Sequence, residues 1–269
     1  MGLAGALAAA HAQPIAPDAT LQARTRRQLQ DYLKLRIQGN PNFVRYHAHD
    51  IVDETAEQLW ADTRWQLRSQ LLDDDGRHWA AELQSVEPAP VRSAIMVFGR
   101  MQEGRIDSIV RAPEAARFIP GRQETLPRRP RPTGAPLPAT VSLDRMTAEK
   151  FRDYLDLFGR FDERFVRYYT PDVIFAAMPA RMPIRGRRGI LGLYRGLRKE
   201  LAEHLTVRRL VIDSESGLMA AALTNRLTAY GEVKLPSRVL AAGDQLELSG
   251  ALVYGLRHGR ISLIRDLGQ

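Results

Sequence analysis

Cysteine is absent from the 269 residues, which excludes disulfides and thiol catalysis and leaves the redox compartment open. No apolar run reaches the ~18 residues a membrane-spanning helix needs, so no membrane partner is expected. A phosphate-cradling loop, a dinucleotide-type glycine motif and a convincing set of metal ligands are missing too, and no cofactor is expected. Tryptophan is scarce: Trp60, Trp65 and Trp79 are the only three, all in the first half. They either fill space there or form an interface.

What is present suffices for a packed protein. The chain is 44% hydrophobic and 26% charged, an ordinary globular balance, and its length suits two domains. The formal charge of +8 would suit a nucleic-acid binder, but its location argues against that partner. Between Arg111 and Arg145, seven arginines face only Glu114, Glu124 and Asp144, a surplus of +4 and half the total. Pro120 to Pro138 (PGRQETLPRRPRPTGAPLP) holds eight prolines or glycines and no hydrophobic period. It reads as a linker. A second basic group, Arg181, Arg185, Arg187 and Arg188, precedes a predicted helix, where an anion or plain solvent would suit it.

At the N-terminus, Leu3 to Ala10 is apolar and Ala10-His11-Ala12 precedes Gln13. This resembles the core and cleavage site of an export signal, without its basic start. A processed signal implies a periplasmic or secreted protein; a merely flexible alanine-rich end implies a cytoplasmic one.

The chain repeats itself. Asp31 to Ile51 lies over Asp153 to Val173 without a gap, with nine of 21 positions identical, among them Phe-Val-Arg-Tyr at 43–46 and 165–168. Ser93 to Ile109 resembles Ser249 to Ile264, with one extra residue placed in the first turn. Asp50 to Gly99 is 49 steps and Asp172 to Gly255 is 83, so the first copy is the shorter. The expected organisation is a signal-like or flexible segment 1–21, a shortened domain 22–118, a linker 119–143 and a complete domain 144–269.

In the second copy Thr147 can cap a helix with apolar Phe151, Tyr154, Leu155 and Phe158. Asp162 to Tyr169 makes a short second helix, and Val173–Ala176 a first strand. Ile190, Leu193, Tyr194, Leu197 and Leu201 form the stripe of a third helix. Strands are predicted at Val207–Ile212, Met219–Tyr230, Leu246–Leu256 and Arg260–Leu267, the last two joined by Arg257-His258-Gly259. Helices first and strands after predict an α+β fold: tandem cones, each with N-terminal helices on a mainly antiparallel sheet.

This element order, with its "MP…IRG" turn and "GRISLIRD" ending, resembles the SnoaL-like family of the nuclear-transport-factor-2-like superfamily over Asp144 to Gln269. The resemblance implies an apolar pocket and, in relatives, isomerase, cyclase or epoxide hydrolase chemistry; fold alone licenses none of these. Against ketosteroid isomerase, Tyr154 stands at the oxyanion-donor position. The two acids would fall near Met178 or Pro179 and near Gly250 or Ala251, where there is none, so one of three groups remains. Against limonene epoxide hydrolase, Arg226 and Asp266 are retained, while Phe175, Ala177 and Thr228 replace the tyrosine, the asparagine and the second carboxylate. Arg226 with Asp266 is thus the candidate catalytic pair, or else an ordinary cross-strand ion pair. Tyr154, Phe175, Met178, Met182, Thr228 and Tyr230 are the candidate ligand contacts, with core packing as the alternative. His47-x-His49-Asp50 lacks further metal ligands, and the repeat sets it at a surface turn.

Two functional readings follow. One is a hydrolase, cyclase or isomerase acting on an apolar small molecule. The other is a non-catalytic binding or interaction module, as a homo-oligomer or with its halves paired as an internal pseudo-dimer.

Overall fold

The computed structural model describes residues 19–55, 60, 64–86, 94–112, 114–121, 126, 129, 143–176, 183–235 and 238–267. The signal-like stretch, most of the Pro/Arg-rich segment, and Met178 and Met182 lie outside these residues.

The chain begins with helix α1 (Ala19–Ile37), a 3-10 turn (Pro41–Tyr46) and strands β1 (His47–Asp53), β2 (Trp65–Leu72), β3 (His78–Ser85), β4 (Ala94–Gln102) and β5 (Arg105–Arg111). Leu29, Tyr32, Leu33 and Arg36 are buried at helical spacing on α1, so one face of the helix lies against the sheet. After β6 (Ala115–Ile119) come α2 (Ala148–Gly159), a second 3-10 turn (Glu163–Tyr168), β7 (Tyr169–Ala176), the short β8 (Ile184–Arg185) and α3 (Gly186–Glu200). Strands β9 (Leu201–Asp213), β10 (Leu218–Ala229), β11 (Val233–Leu235), β12 (Arg238–Leu240), β13 (Gln245–Arg257) and β14 (Arg260–Asp266) complete it. The fold is α+β with mostly antiparallel sheets, as the sequence predicts. Each predicted strand of the second half is present; β7, β9 and β13 are longer than their apolar patterns, β10 is shifted by one residue, and β14 is one residue shorter. Sequence reading missed β6, β8 and the β11–β12 hairpin, which are too short to show a period.

The two sheets run in the same order. The first is β1-β5-β4-β3-β2, the second β8-β7-β14-β13-β10-β9. In each, the first strand pairs in parallel with the last, and all other neighbours pair antiparallel. The registers also agree: His47 faces Ile106 as Tyr169 faces Ile261, and Asp53 faces Ile109 as Phe175 faces Ile264. Both late hairpins turn through two residues at positive φ, Glu103-Gly104 (51° and 75°) and His258-Gly259 (50° and 67°), the geometry that fits strand twist.

These equal turns correct one expectation. The extra residue placed in the first turn is not there. Gln102 pairs with Arg105 as Arg257 pairs with Arg260. Gly99, opposite Ile109, therefore corresponds to Tyr254, opposite Ile264, and not to Gly255. The Phe-Gly and Tyr-Gly likeness misled by one position, and a slip of one moves every side chain to the other face.

Each sheet packs its helices on one face. In the second half Phe151, Tyr154, Phe158, Phe165, Tyr194, Met219, Leu223 and Tyr254 belong to that core; in the first, Leu29, Tyr32, Leu33, Trp65, Trp79 and Val97 do, with Trp60 against them. The three tryptophans thus fill space. The opposite faces meet each other: Leu71, Ala80, Met96 and Phe98 share one cluster with Val211, Ala220, Ala222, Ala251 and Val253. Alanines let the two backbones come close. Ion pairs border this layer. Arg265 donates two 2.7 Å bonds to Glu82. Arg26 grips the fully buried Asp213 at 2.8 and 3.1 Å, and Asp213 also accepts the Leu72 amide. Strand β6 continues the sheet of the second half by pairing with the start of β13.

Candidate functional site

Thr147 caps α2 as predicted, accepting the Lys150 amide at 3.2 Å. The cap and the apolar stripe set Tyr154 inside the second cone, where its hydroxyl meets that of Tyr169 at 2.9 Å. Burial pushes both phenols well above the ordinary tyrosine range. Around them Phe158, Phe165, Tyr194 and Phe175 stack edge to face, with ring centres 4.7–6.1 Å apart. One end of the cone is therefore closed by rings, and Tyr154 is occupied by its neighbour.

The other end is different. Gly250 stands opposite Leu223, a member of the cone core, and a Cβ on Gly250 would meet nothing within 4 Å. Strand alternation puts Leu248 and Leu252 on this same face. Two polar groups flank the gap. On one side Asp266 pairs in register with Leu252, two residues along from Gly250. On the other, Asn225 pairs with Leu248 and donates from Nδ2 to Glu203 at 2.6 Å. Sequence reading did not single out Glu203. Its signal was available: a lone acid among the alternating residues Leu201, Leu205 and Val207 of β9.

Glu203 is 11% exposed and lies 3.5 Å from the guanidinium of Arg198, itself 3% exposed. Arg198 donates to the carbonyls of Glu203 and Phe158 and sits over the Phe158 and Phe161 rings. Burial raises the Glu203 carboxyl above its ordinary range, and Arg198 and Asn225 offset this only in part. The Oδ1 of Asn225 is buried without a hydrogen-bond partner among the described residues. Two carboxyls, Glu203 and Asp266, and the Asn225 amide thus border the open space beside Gly250.

The pair expected from the sequence does not form. Arg226 stands opposite Glu247 and reaches it at 3.1 Å, with half its side chain in solvent. Glu247 and Leu252, the β13 partner of Asp266, are five residues apart. An odd separation places Arg226 and Asp266 on opposite faces, with ~17 Å between them along the strand. Thr228 shares the Arg226 face by alternation. Tyr230 follows β10, its ring under the Arg129 guanidinium at 5.1 Å. Tyr154, Phe175 and Asp266 remain on the cone face. His47 also departs from expectation: it begins a strand, its Nε2 is buried, and its ring packs on Tyr32 and Phe43. A separate cleft of about 650 Å³ lies between the halves. Its lining mixes charged side chains with apolar ones such as Phe98, Met146 and Val207, and in it Asp74 accepts from Ser214 and pairs with Arg145.

No family model and no curated protein matches the chain. Solved structures of SnoaL-like and epoxide-hydrolase-like type resemble it. A protein assigned as a polyketide cyclase, from Xanthomonas campestris pv. campestris, is 18% identical with a TM-score of 0.38, covering 43% of this chain and 84% of its own. An LEH-like epoxide hydrolase of Mycobacterium tuberculosis is 18% identical at 0.36, covering 44% and 79%. The M. tuberculosis protein RV0760c, solved with estradiol-17beta-hemisuccinate, is 13% identical at 0.36, covering 44% and 90%.

Proposed function

We propose that the second half is a SnoaL-like pocket domain that takes an apolar small molecule onto Gly250, between Asp266 and the Asn225–Glu203 pair. The observation that carries this is a buried carboxyl and an open glycine on one face of the sheet, with Asn225 and Asp266 as its other polar groups. Burying a carboxyl costs several kcal/mol unless something is gained, and raised carboxyls cluster at working sites. With its pKa raised, Glu203 keeps its proton to higher pH than an ordinary carboxyl and can deliver it to a ligand oxygen, with Asp266 as the second group of the exchange. Hydrolase, cyclase and isomerase chemistry all use that exchange.

The test is thermal unfolding of the whole chain with steroids, terpene epoxides and aromatic polyketides. A ligand at a hundred times its dissociation constant adds about 2.7 kcal/mol, a rise of a few degrees. A rise lost on blocking Gly250 supports the pocket. Product formation that stops in Glu203→Gln or Asp266→Asn, with binding kept, makes it an enzyme. No rise with any compound rejects the reading.

The second reading is a non-catalytic module whose halves, 22–118 and 144–269, are two copies joined as an internal pseudo-dimer. It is supported by the matching registers and by the apolar layer between the sheets. A ligand that binds and is recovered unchanged favours it.

A further inference from the structure

The cleft between the halves has a filled counterpart elsewhere in the molecule. Gly99 and Tyr254 share a register position, so Leu72 opposite Trp79 corresponds to Ile212 opposite Met219. The turns that follow, 73–78 and 213–218, are equal in length, and Asp73 and Asp75 therefore hold the places of Asp213 and Glu215. The ungapped repeat of the two helices likewise sets Ala148 at the place of Arg26.

On one side the contact is closed. Arg26 of the first half reaches across and divides its guanidinium between Asp213, at 2.8 and 3.1 Å, and Glu215, at 3.0 Å. On the other side Ala148 has no side chain to send. There the cleft of about 650 Å³ opens, lined by Asp73, Asp75 and Ala148 together with the apolar Phe98, Met146 and Val207. Asp73 accepts from the amides of Arg77 and His78 and meets the His78 ring at 2.8 Å, which leaves room for one more donor on a carboxylate. Asp75 is exposed, with no hydrogen bond or ion pair among the described residues. The molecule itself thus shows which group fits between two such carboxylates, a forked guanidinium.

Arg145, Arg152, Arg208 and Arg209 also line the cleft. Arg145 pairs with Asp74, and Arg208 donates to Thr224 at 3.2 Å. Arg152, one turn along α2 from Ala148, and Arg209 are exposed and form no ion pair among the described residues. Arginines outnumber acids in the lining, so a bare cation is not what the cleft selects. A cation that carries its own carboxylate matches both sets.

We propose that this cleft binds a guanidino carboxylate. Its guanidinium lies between Asp73 and Asp75 as that of Arg26 lies between Asp213 and Glu215. Its methylene stem runs along Phe98, Met146 and Val207, and its carboxylate faces Arg152 and Arg209. The site is separate from the one over Gly250 and stands or falls independently of it.

Calorimetric titration of the whole chain tests this with 4-guanidinobutyrate, and with butylguanidine and hexanoate as the probes that lack one end. Saturable binding of 4-guanidinobutyrate is expected, with each control weaker by about tenfold or more, the loss of one charge-assisted contact. Asp75→Asn, a change at an exposed residue, should weaken binding by a similar factor. Ala148→Arg should place a guanidinium where the ligand's would lie, block the titration and raise the melting temperature. Gly250→Phe should leave the titration as it was, and circular dichroism checks that each variant is folded. No saturable binding of 4-guanidinobutyrate overturns the proposal. So does equal binding of butylguanidine, which makes the cleft a plain cation site, or of hexanoate, which makes it an anion site. Wild-type affinity in either folded cleft variant overturns it as well.

Discussion

The indole of Trp79 occupies the space that a side chain at Gly99 would need, since a Cβ there would collide with Cε2, Cζ2 and Nε1 of the ring. The two residues face each other across β3 and β4. In the second half the corresponding pair is Met219 opposite Tyr254. The large side chain has changed strands, and the smaller partner has changed with it. Gly99→Ala should therefore destabilise the first half by about 1–3 kcal/mol, the usual cost of overpacking. A lowered urea midpoint measures it, and tryptophan emission during unfolding localises the loss. A variant as stable as the parent would mean that Trp79 can move aside at no cost.

At Gly250 the opposite outcome is expected. The backbone is ordinary strand and a Cβ would meet open space. Gly250→Phe should fold with stability unchanged or slightly raised, since glycine is a poor strand residue. The same change should abolish any ligand-induced rise in melting temperature. Wild-type ligand response in a folded Gly250→Phe protein would move the pocket elsewhere.

The fold was legible in the second half because its elements are long enough to show their periods. Thr147, the α2 stripe and the Arg257–Gly259 turn announce themselves locally. The site was less legible, because it depends on which face each residue takes. Arg226 and Asp266 look alike in a string, and only the pairing of β10, β13 and β14 separates them. Glu203 was passed over because burial, and not its type, makes it unusual. His47 looked like a surface residue because the repeat sets it beside Tyr169 at the exit of a short helix, and that exit turns inward.

The contact between the halves should depend on acid. Burial alone would raise the Asp213 carboxyl, but Arg26 and the amides of Ser216 and Leu72 hold it below its ordinary range. A depressed folded pKa adds stability that is present above the unfolded value and is lost as pH falls through the folded one. Arg26→Ala leaves a fully buried carboxylate without its cation and should cost about 3 kcal/mol at pH 7. The cost should shrink as pH falls below about 4, the ordinary Asp value, where the carboxyl protonates. Urea midpoints of both proteins at pH 7 and pH 3 measure this. An equal gap at both values would remove Asp213 from the account.

Glu203 has the opposite sign. Its folded pKa is raised, with burial as the largest cause. Its protonated form is thus favoured in the folded state, and the stability it contributes is fully present below the unfolded value near 4.3. That contribution is lost as pH rises through the folded value. Wild-type protein should accordingly lose stability as pH rises above about 4, the ordinary Glu value, beyond what other groups explain. Glu203→Gln keeps an oxygen for the Asn225 amide but cannot ionise, so it should flatten this part of the profile. Arg198 keeps its bonds to the carbonyls of Glu203 and Phe158, which lets the variant fold. A ligand that takes its proton from Glu203 should bind more tightly to wild type on the acid side of the same transition, and should bind Glu203→Gln with no pH dependence from this group. Parallel stability profiles for the two proteins above about pH 4 would mean that Glu203 ionises freely, and the proton-delivery role would fall with it.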